Sequence, residues 1–209
     1  MAGRWKVYLF DPAWDTYNDK CSRAAAREDI KRIMYLISIY FDEKTNKVIQ
    51  SYINQVAERT GNKFMTEGNV PPHITISAFE TKKPEQVIEK LEMAVQKIKG
   101  GTITWASIGA FLPYVLYIAP VLNAYLHELS ETIYESIKEV EDTRISPYYQ
   151  PFQWLPHTTI GKKLEKEEML AGFSVLQKQF AMIQGQVIRI GLAKTNPYEE
   201  IRSWEFMEK

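Results

Sequence analysis

Cysteine is almost missing from this sequence. Cys21 is the only one in 209 residues, which excludes a disulfide framework, a thiolate metal cage and a dithiol redox motif. A lone thiol suits a reducing compartment, and the cytoplasm is the expected location. Long apolar runs are missing too. Nowhere do about 18 uninterrupted apolar residues occur, and Met1 to Lys6 has charges with no apolar run behind them, so neither a membrane span nor a secretory leader is expected. Nor is one charge in excess: lysine plus arginine, and aspartate plus glutamate, number 26 each. That removes the broad positive field selected by long nucleic-acid backbones, but leaves room for a local cationic cleft that grips a nucleic-acid end or a small nucleotide. Neither common type of glycine-rich phosphate loop is present.

Histidine is scarce, with three residues, and two of them stand in the same frame. Pro72-His73-Ile74-Thr75-Ile76 recurs downstream as Pro156-His157-Thr158-Thr159-Ile160. Along a β-strand the side chains alternate between faces. His73 and Thr75 therefore share one face while Ile74 and Ile76 point inward, and in the second copy Thr158 and Ile160 take the inward places. Core packing gives no reason for a polar histidine and threonine to recur together behind the same proline. The repeat reads as one site built from two halves.

The rest of the chain supplies a scaffold. At 45% hydrophobic residues it can bury a substantial core. Residues 1–30 form an N-terminal extension with Trp5, Tyr8, Phe10, Trp14 and Tyr17 and a helix-favouring stretch from Ser22 to Ile30; its aromatics pack on the body or form a lid. Ile33 to Phe41 is apolar and rich in β-branched and aromatic residues, which predicts a buried strand. Asp42 opens a helix whose apolar positions Val48, Ile49, Tyr52, Ile53 and Val56 fall at helical spacing, with a stop at Gly61. A strand near 73–79 carries the first motif, and Pro84 begins a second helix that ends at Gly100-Gly101. Strands follow over Thr102 to Ala110 and Tyr114 to Ala119. Pro120 leads into a helix with Leu122, Tyr125, Leu126, Leu129, Ile133 and Ile137 in a stripe, and His127 off that stripe, as a solvated residue. An irregular segment, Asp142 to Leu155, delivers the second motif. A helix over Glu165 to Phe180 and strands over Val187 to Ala193 and Ile201 to Phe206 close the chain. This order fits an α+β fold of antiparallel sheets with segregated outer helices better than a doubly wound sheet.

Two histidines at equivalent positions offer groups that can be protonated differently near neutral pH. One acts as base and the other as acid, which suits phosphodiester cleavage, where in-line displacement needs groups on both sides of the phosphorus. The threonine hydroxyls, two residues along, stabilise the charge developing on the phosphoryl oxygens. No Cys, Asp or Glu stands at ligand spacing near either motif, so no metal and no cofactor is expected. Tyr148 and Trp154 are candidates for stacking on a base, with loop anchoring as the alternative. Lys82, Lys83, Lys162 and Lys163 follow the motifs and offer cations for phosphate, or simply face solvent.

The paired segments resemble the two His-x-Thr-x signatures of the 2H phosphoesterase superfamily, which includes the 2'-5' RNA ligase-like and cyclic phosphodiesterase proteins. The similarity covers roughly Ile33 to Phe206, and only the two motifs are specific. It implies a bilobal, pseudo-two-fold fold with a central cleft, lobes near 31–101 and 102–209, and strands exchanged between them. It also implies His73, Thr75, His157 and Thr159 as a metal-independent catalytic set acting on 2',3'-cyclic phosphates or 2'-5' linkages of RNA ends or small nucleotides, in a monomer. Thr158 departs from the family pattern, in which an aliphatic residue is common there. A non-catalytic RNA- or nucleotide-binding module that retains the site is the alternative function.

Overall fold

The computed structural model describes residues 33–195 and 197–206. The extension at 1–30, with its aromatics and Cys21, lies outside the described residues.

Strand β1 (Ile33–Phe41) has the predicted bounds, and Ile37, Ile39 and Phe41 are fully buried. Six of its nine side chains are β-branched or aromatic, which suits a strand covered on both faces. The next residue caps helix α1 (Glu43–Thr60): one Asp42 carboxylate oxygen accepts from the Thr45 backbone N–H at 2.9 Å and the other from the Thr45 hydroxyl at 2.6 Å. Ile49, Tyr52, Ile53 and Val56 form the buried stripe, and Gly61 ends the helix at a φ of +77°, a conformation that favours glycine. A single turn, α2 (Phe64–Glu67), precedes β2 (His73–Thr81), and α3 (Pro84–Val95) follows with proline in its first turn.

Strands β3 (Thr102–Phe111) and β4 (Val115–Pro120) make a hairpin. Helix α4 (Ala124–Ile137) starts later than its apolar stripe suggests. Asn123 accepts from the Leu126 N–H at 3.0 Å and fixes the start there, so Leu122 falls outside the helix and is exposed. The irregular segment holds a two-residue strand, β5 (Arg144–Ile145), and a 3-10 turn at Pro147–Tyr149 before β6 (Thr158–Gly161). Helix α5 (Lys166–Gln179) opens with a reciprocal capping box between Glu165 and Glu168, and β7 (Ile183–Lys194) and β8 (Glu199–Glu205) finish the fold.

All pairings among these strands are antiparallel, in the order β5-β2-β1-β7-β3-β4-β6, with β8 on the second half of β7. Strand β7 joins the two parts: Ile183 to Gln186 pair with β3, and Val187 to Lys194 pair with β1. The helices cross over. Helix α1 follows β1 in sequence but packs with α5 beside β6, whereas α4 follows β4 but packs with α3 beneath β2. Each sheet region is thus backed by one helix from each half of the chain, and a single hydrophobic core connects them. The architecture is α+β, with antiparallel strands and outer helices.

Candidate active site

The two motifs fold into the same local device. Strand β2 starts at His73, and β6 starts one residue after His157, each behind a buried proline. In both, the histidine Nδ1 turns back to the carbonyl two residues earlier: Pro71 at 2.8 Å and Leu155 at 2.9 Å. A carbonyl can only accept, so Nδ1 carries the proton and Nε2 keeps its lone pair for chemistry. The inward places hold Ile74, Ile76, Thr158 and Ile160, all nearly or fully buried, as the alternation requires. Thr75 and Thr159 therefore share the histidines' face.

A further likeness was not visible in the sequence. Thr75 pairs with Ser38 and Ser77 with Ile37, so Ile76 has no partner of its own; Thr159 pairs with Tyr117 and Gly161 with Leu116, so Ile160 has none either. Each motif carries a β-bulge three residues after its histidine. Bulges bend and twist a strand locally and are over-represented beside active sites. Here each holds its His and Thr on a bent strand end, and β2 and β6 approach each other without pairing.

Trp154 ties the halves together. It is buried, and its indole N–H donates to the Thr75 carbonyl at 3.0 Å, joining the approach to the second motif to the strand of the first. Its ring is enclosed by protein. Tyr148 is half-buried on the 3-10 turn beside β2. Thr158 has a partner of its own: the fully buried Trp105 donates its indole N–H to the Thr158 hydroxyl at 3.1 Å. A buried indole N–H needs an acceptor, and an aliphatic residue at 158 would leave it without one.

Sequence reasoning missed the aromatic walls. Phe111 meets the His157 ring edge-on at 4.7 Å and Tyr117 lies at 5.5 Å, while Tyr40 flanks His73 at 6.1 Å. Only the strand pairings bring these residues to the motifs, so no local signal marks them. Burial lowers the pKa of both histidines. His157 is pushed down to about 4 by desolvation, with repulsion from His73 adding to it and the Leu155 carbonyl opposing it. His73 is lowered by desolvation and by the charge of Lys162, against the favourable Pro71 carbonyl.

The other candidates are dispersed. Lys163 sits over the Phe64 ring at 4.5 Å, Lys83 pairs with Glu141, and Lys82 is exposed. His127 is not simply solvated: it is half-buried, edge-on to Phe152 at 4.5 Å and 3.9 Å from Glu131. Among the described residues no group of three or more His, Cys, Asp or Glu converges, and no helix is long and apolar enough to cross a membrane.

This fold, with two facing His-x-Thr strands, is that of the 2H phosphoesterases. Residues 47–199 match the 2'-5' RNA ligase superfamily, and the chain belongs to that family. Among solved structures it is similar to Escherichia coli LigT complexed with 3'-AMP, at 14% identity over 85% of this chain and 100% of that one, with a TM-score of 0.54. It is equally similar in fold to a phosphoesterase (15% identity, 84% and 99% covered, TM-score 0.54) and to TT0787 of Thermus thermophilus (14% identity, 83% and 97% covered, TM-score 0.54). Comparison with curated proteins by sequence finds no match. Family membership supports phosphodiesterase or RNA-ligase-like activity.

Proposed function

We propose that this protein is a metal-independent phosphodiesterase that opens 2',3'-cyclic phosphates, or cleaves 2'-5' linkages, at RNA ends or in small nucleotides. The observation that carries this reading is the duplicated device: two imidazoles, each with Nδ1 held by a carbonyl and Nε2 left free, on facing strands with a threonine beside each. In hydrolysis a neutral histidine takes a proton from water through Nε2 as the water oxygen bonds to phosphorus. The second histidine, protonated, gives its Nε2 proton to the ribose oxygen as the P–O bond breaks. Thr75 and Thr159 donate to the non-bridging oxygens, where negative charge develops. Lys162, whose charge reaches His73, adds positive potential beside the phosphate. Tyr148 is the aromatic candidate for stacking on a base, whereas Trp154 acts through the strand of Thr75.

The test is a screen of purified protein against 2',3'-cyclic nucleotides, 2'-5' dinucleotides and cyclic-phosphate RNA ends. Wild type should turn over at least one class, and His73→Ala and His157→Ala should each lose about 10²- to 10⁴-fold while remaining folded. On an activated aryl ester, whose leaving group needs no proton, the variant lacking the acid should recover much of its rate. Equal defects of both variants on both ester types would reduce the histidines to phosphate ligands.

A further inference from the structure

The strand registers place a cation and an aromatic ring beside the first motif that the proposed chemistry does not use. His73, Tyr40 and Arg189 are direct partners across β2, β1 and β7, so they line one face of the sheet. The next row on that face is Thr75, Ser38 and Gly191. The Arg189 guanidinium lies 3.8 Å over the Tyr40 ring and donates through Nη1 to Glu200 at 2.6 Å. The Tyr40 hydroxyl meets that of Tyr198 at 2.9 Å, and the ring is left only 2% exposed. Gly191 makes the arrangement possible: a Cβ there would come within 3.0 Å of the Tyr40 ring and 3.2 Å of the Glu200 carboxylate.

The fold does not demand this wall. In the equivalent row of the other half, Thr159, Tyr117 and Gly109 are partners, as Thr75, Ser38 and Gly191 are here. One step further along, where Tyr40 and Arg189 stand in the first half, the second half has Ala119 and Ser107. The cation and its aromatic support therefore occur on one side of the pseudo-two-fold only. Arg189 is held flat by Tyr40 and anchored at one edge by Glu200. Among the described residues, its remaining N–H donors have no other partner, and its side chain keeps 19% exposure. A guanidinium fixed in this way presents a fork to a phosphate. Two strand spacings, roughly 10 Å, separate its backbone from that of His73, a distance that one nucleoside and the arginine's reach can span.

We propose that Arg189, stacked on Tyr40, binds the phosphodiester next to the scissile phosphate, so that the substrate is the end of an oligonucleotide rather than a mononucleotide. This rests on the phosphoesterase reading above. The test compares kcat/KM for a 2',3'-cyclic mononucleotide, a dinucleotide ending in the same cyclic phosphate, and that dinucleotide with an uncharged methylphosphonate link. Wild type should favour the charged dinucleotide by about 10- to 100-fold, the range of one charge-assisted hydrogen-bonded contact, and lose the preference with the uncharged link. In Arg189→Ala the ratio of dinucleotide to mononucleotide should fall toward one. Arg189→Lys should restore it only in part, because an ammonium keeps the charge but neither stacks nor forks. A ratio is insensitive to the fraction of folded protein, so poor folding of a variant does not mimic the result. A wild-type ratio near one, or a ratio retained in Arg189→Ala, overturns the proposal while leaving the phosphoesterase reading intact. If wild type turns over none of the three, this proposal falls, and the phosphoesterase reading falls only if the 2'-5' dinucleotides of the screen above are left intact as well.

Discussion

The depressed pKa of His157 ties stability to pH in a way that one substitution can isolate. Native His157 stays neutral until about pH 4, whereas in the unfolded chain the ring takes up its proton near 6.5. Between those values the unfolded state binds more protons. Stability is therefore fully present above pH 6.5 and is lost as pH falls toward 4. At about 1.36 kcal/mol per pH unit the span corresponds to at most about 3 kcal/mol, and the partial exposure of the ring reduces this to about 1–2 kcal/mol. His157→Asn removes the titration and keeps a side-chain N–H to donate to the Leu155 carbonyl. Urea midpoints of wild type and variant, taken at pH 7.5, 6 and 4.5, supply the measurement, and only the difference between the two proteins counts. Other groups titrate in both: Asp42, whose burial pushes its pKa up, is held below its ordinary value by the combined hydrogen bonds of Thr45, Gln186 and Lys44, and it too weakens the fold in acid. Wild type should lose about 1–2 kcal/mol more than the variant between pH 7.5 and 4.5, equivalent to about 2–8 °C in Tm. Parallel curves would refute the assignment of a desolvated, neutral His157. The same shifts bear on catalysis. With one imidazole charged and the other neutral in the active form, kcat/KM should be a bell lying below pH 6.5, its acid limb near 4, belonging to the coupled pair; an optimum above pH 7 would contradict this.

Three other outcomes are expected. Thr75→Val and Thr159→Val should each lower kcat by about 10²-fold, as for loss of a donor to developing charge, and wild-type rates in both would make the threonines packing residues. Trp154→Phe removes the indole donor to the buried Thr75 carbonyl, so it should cost about 1–3 kcal/mol in urea denaturation and lower kcat with it; an unchanged midpoint would show that the tie between the motifs is idle. Activity should persist in excess EDTA, and loss on chelation restored by a single metal would overturn acid-base catalysis by the histidines alone.

Much of the fold was legible because local rules and tertiary structure agree. Ile33 to Phe41 reads as a strand because its composition suits a buried one, and Asp42 and Gly61 mark α1 because a cap and a left-handed stop are local chemistry. The last strands were less clear. Gln184 and Gln186 give the start of β7 a polar look, since Ile183 to Gln186 pair with β3 where their side chains alternate toward solvent. The catalytic candidates stood out through repetition. Their surroundings did not, because Tyr40, Phe111, Tyr117 and Arg189 reach the motifs only through strand pairing, and a register is not written beside the residues it unites. The crossing of α1 and α4 is hidden for the same reason: each helix shows which face is apolar, not which sheet will cover it.

The proposed reaction asks equal parts to do unequal work. An acid-base pair built from two copies of one motif would have matched pKa values if the copies had matched surroundings, and matched groups compete for the same proton instead of dividing the roles. Here the bulges, the Nδ1 anchors and the threonines are shared, while the neighbouring strands differ. Phe111 and Tyr117 enclose His157 in aromatic carbon, whereas His73 has Tyr40 on one side and feels the charge of Lys162. In the proposed reaction the symmetric motifs would place base and acid on opposite sides of phosphorus, and the asymmetric strands β1, β3, β4 and β7 would set which imidazole holds the extra proton. Substitutions in those strands that leave both motifs untouched should therefore shift the pH profile before they alter the geometry, and that is where divergence in substrate or pH optimum can arise without loss of the reaction.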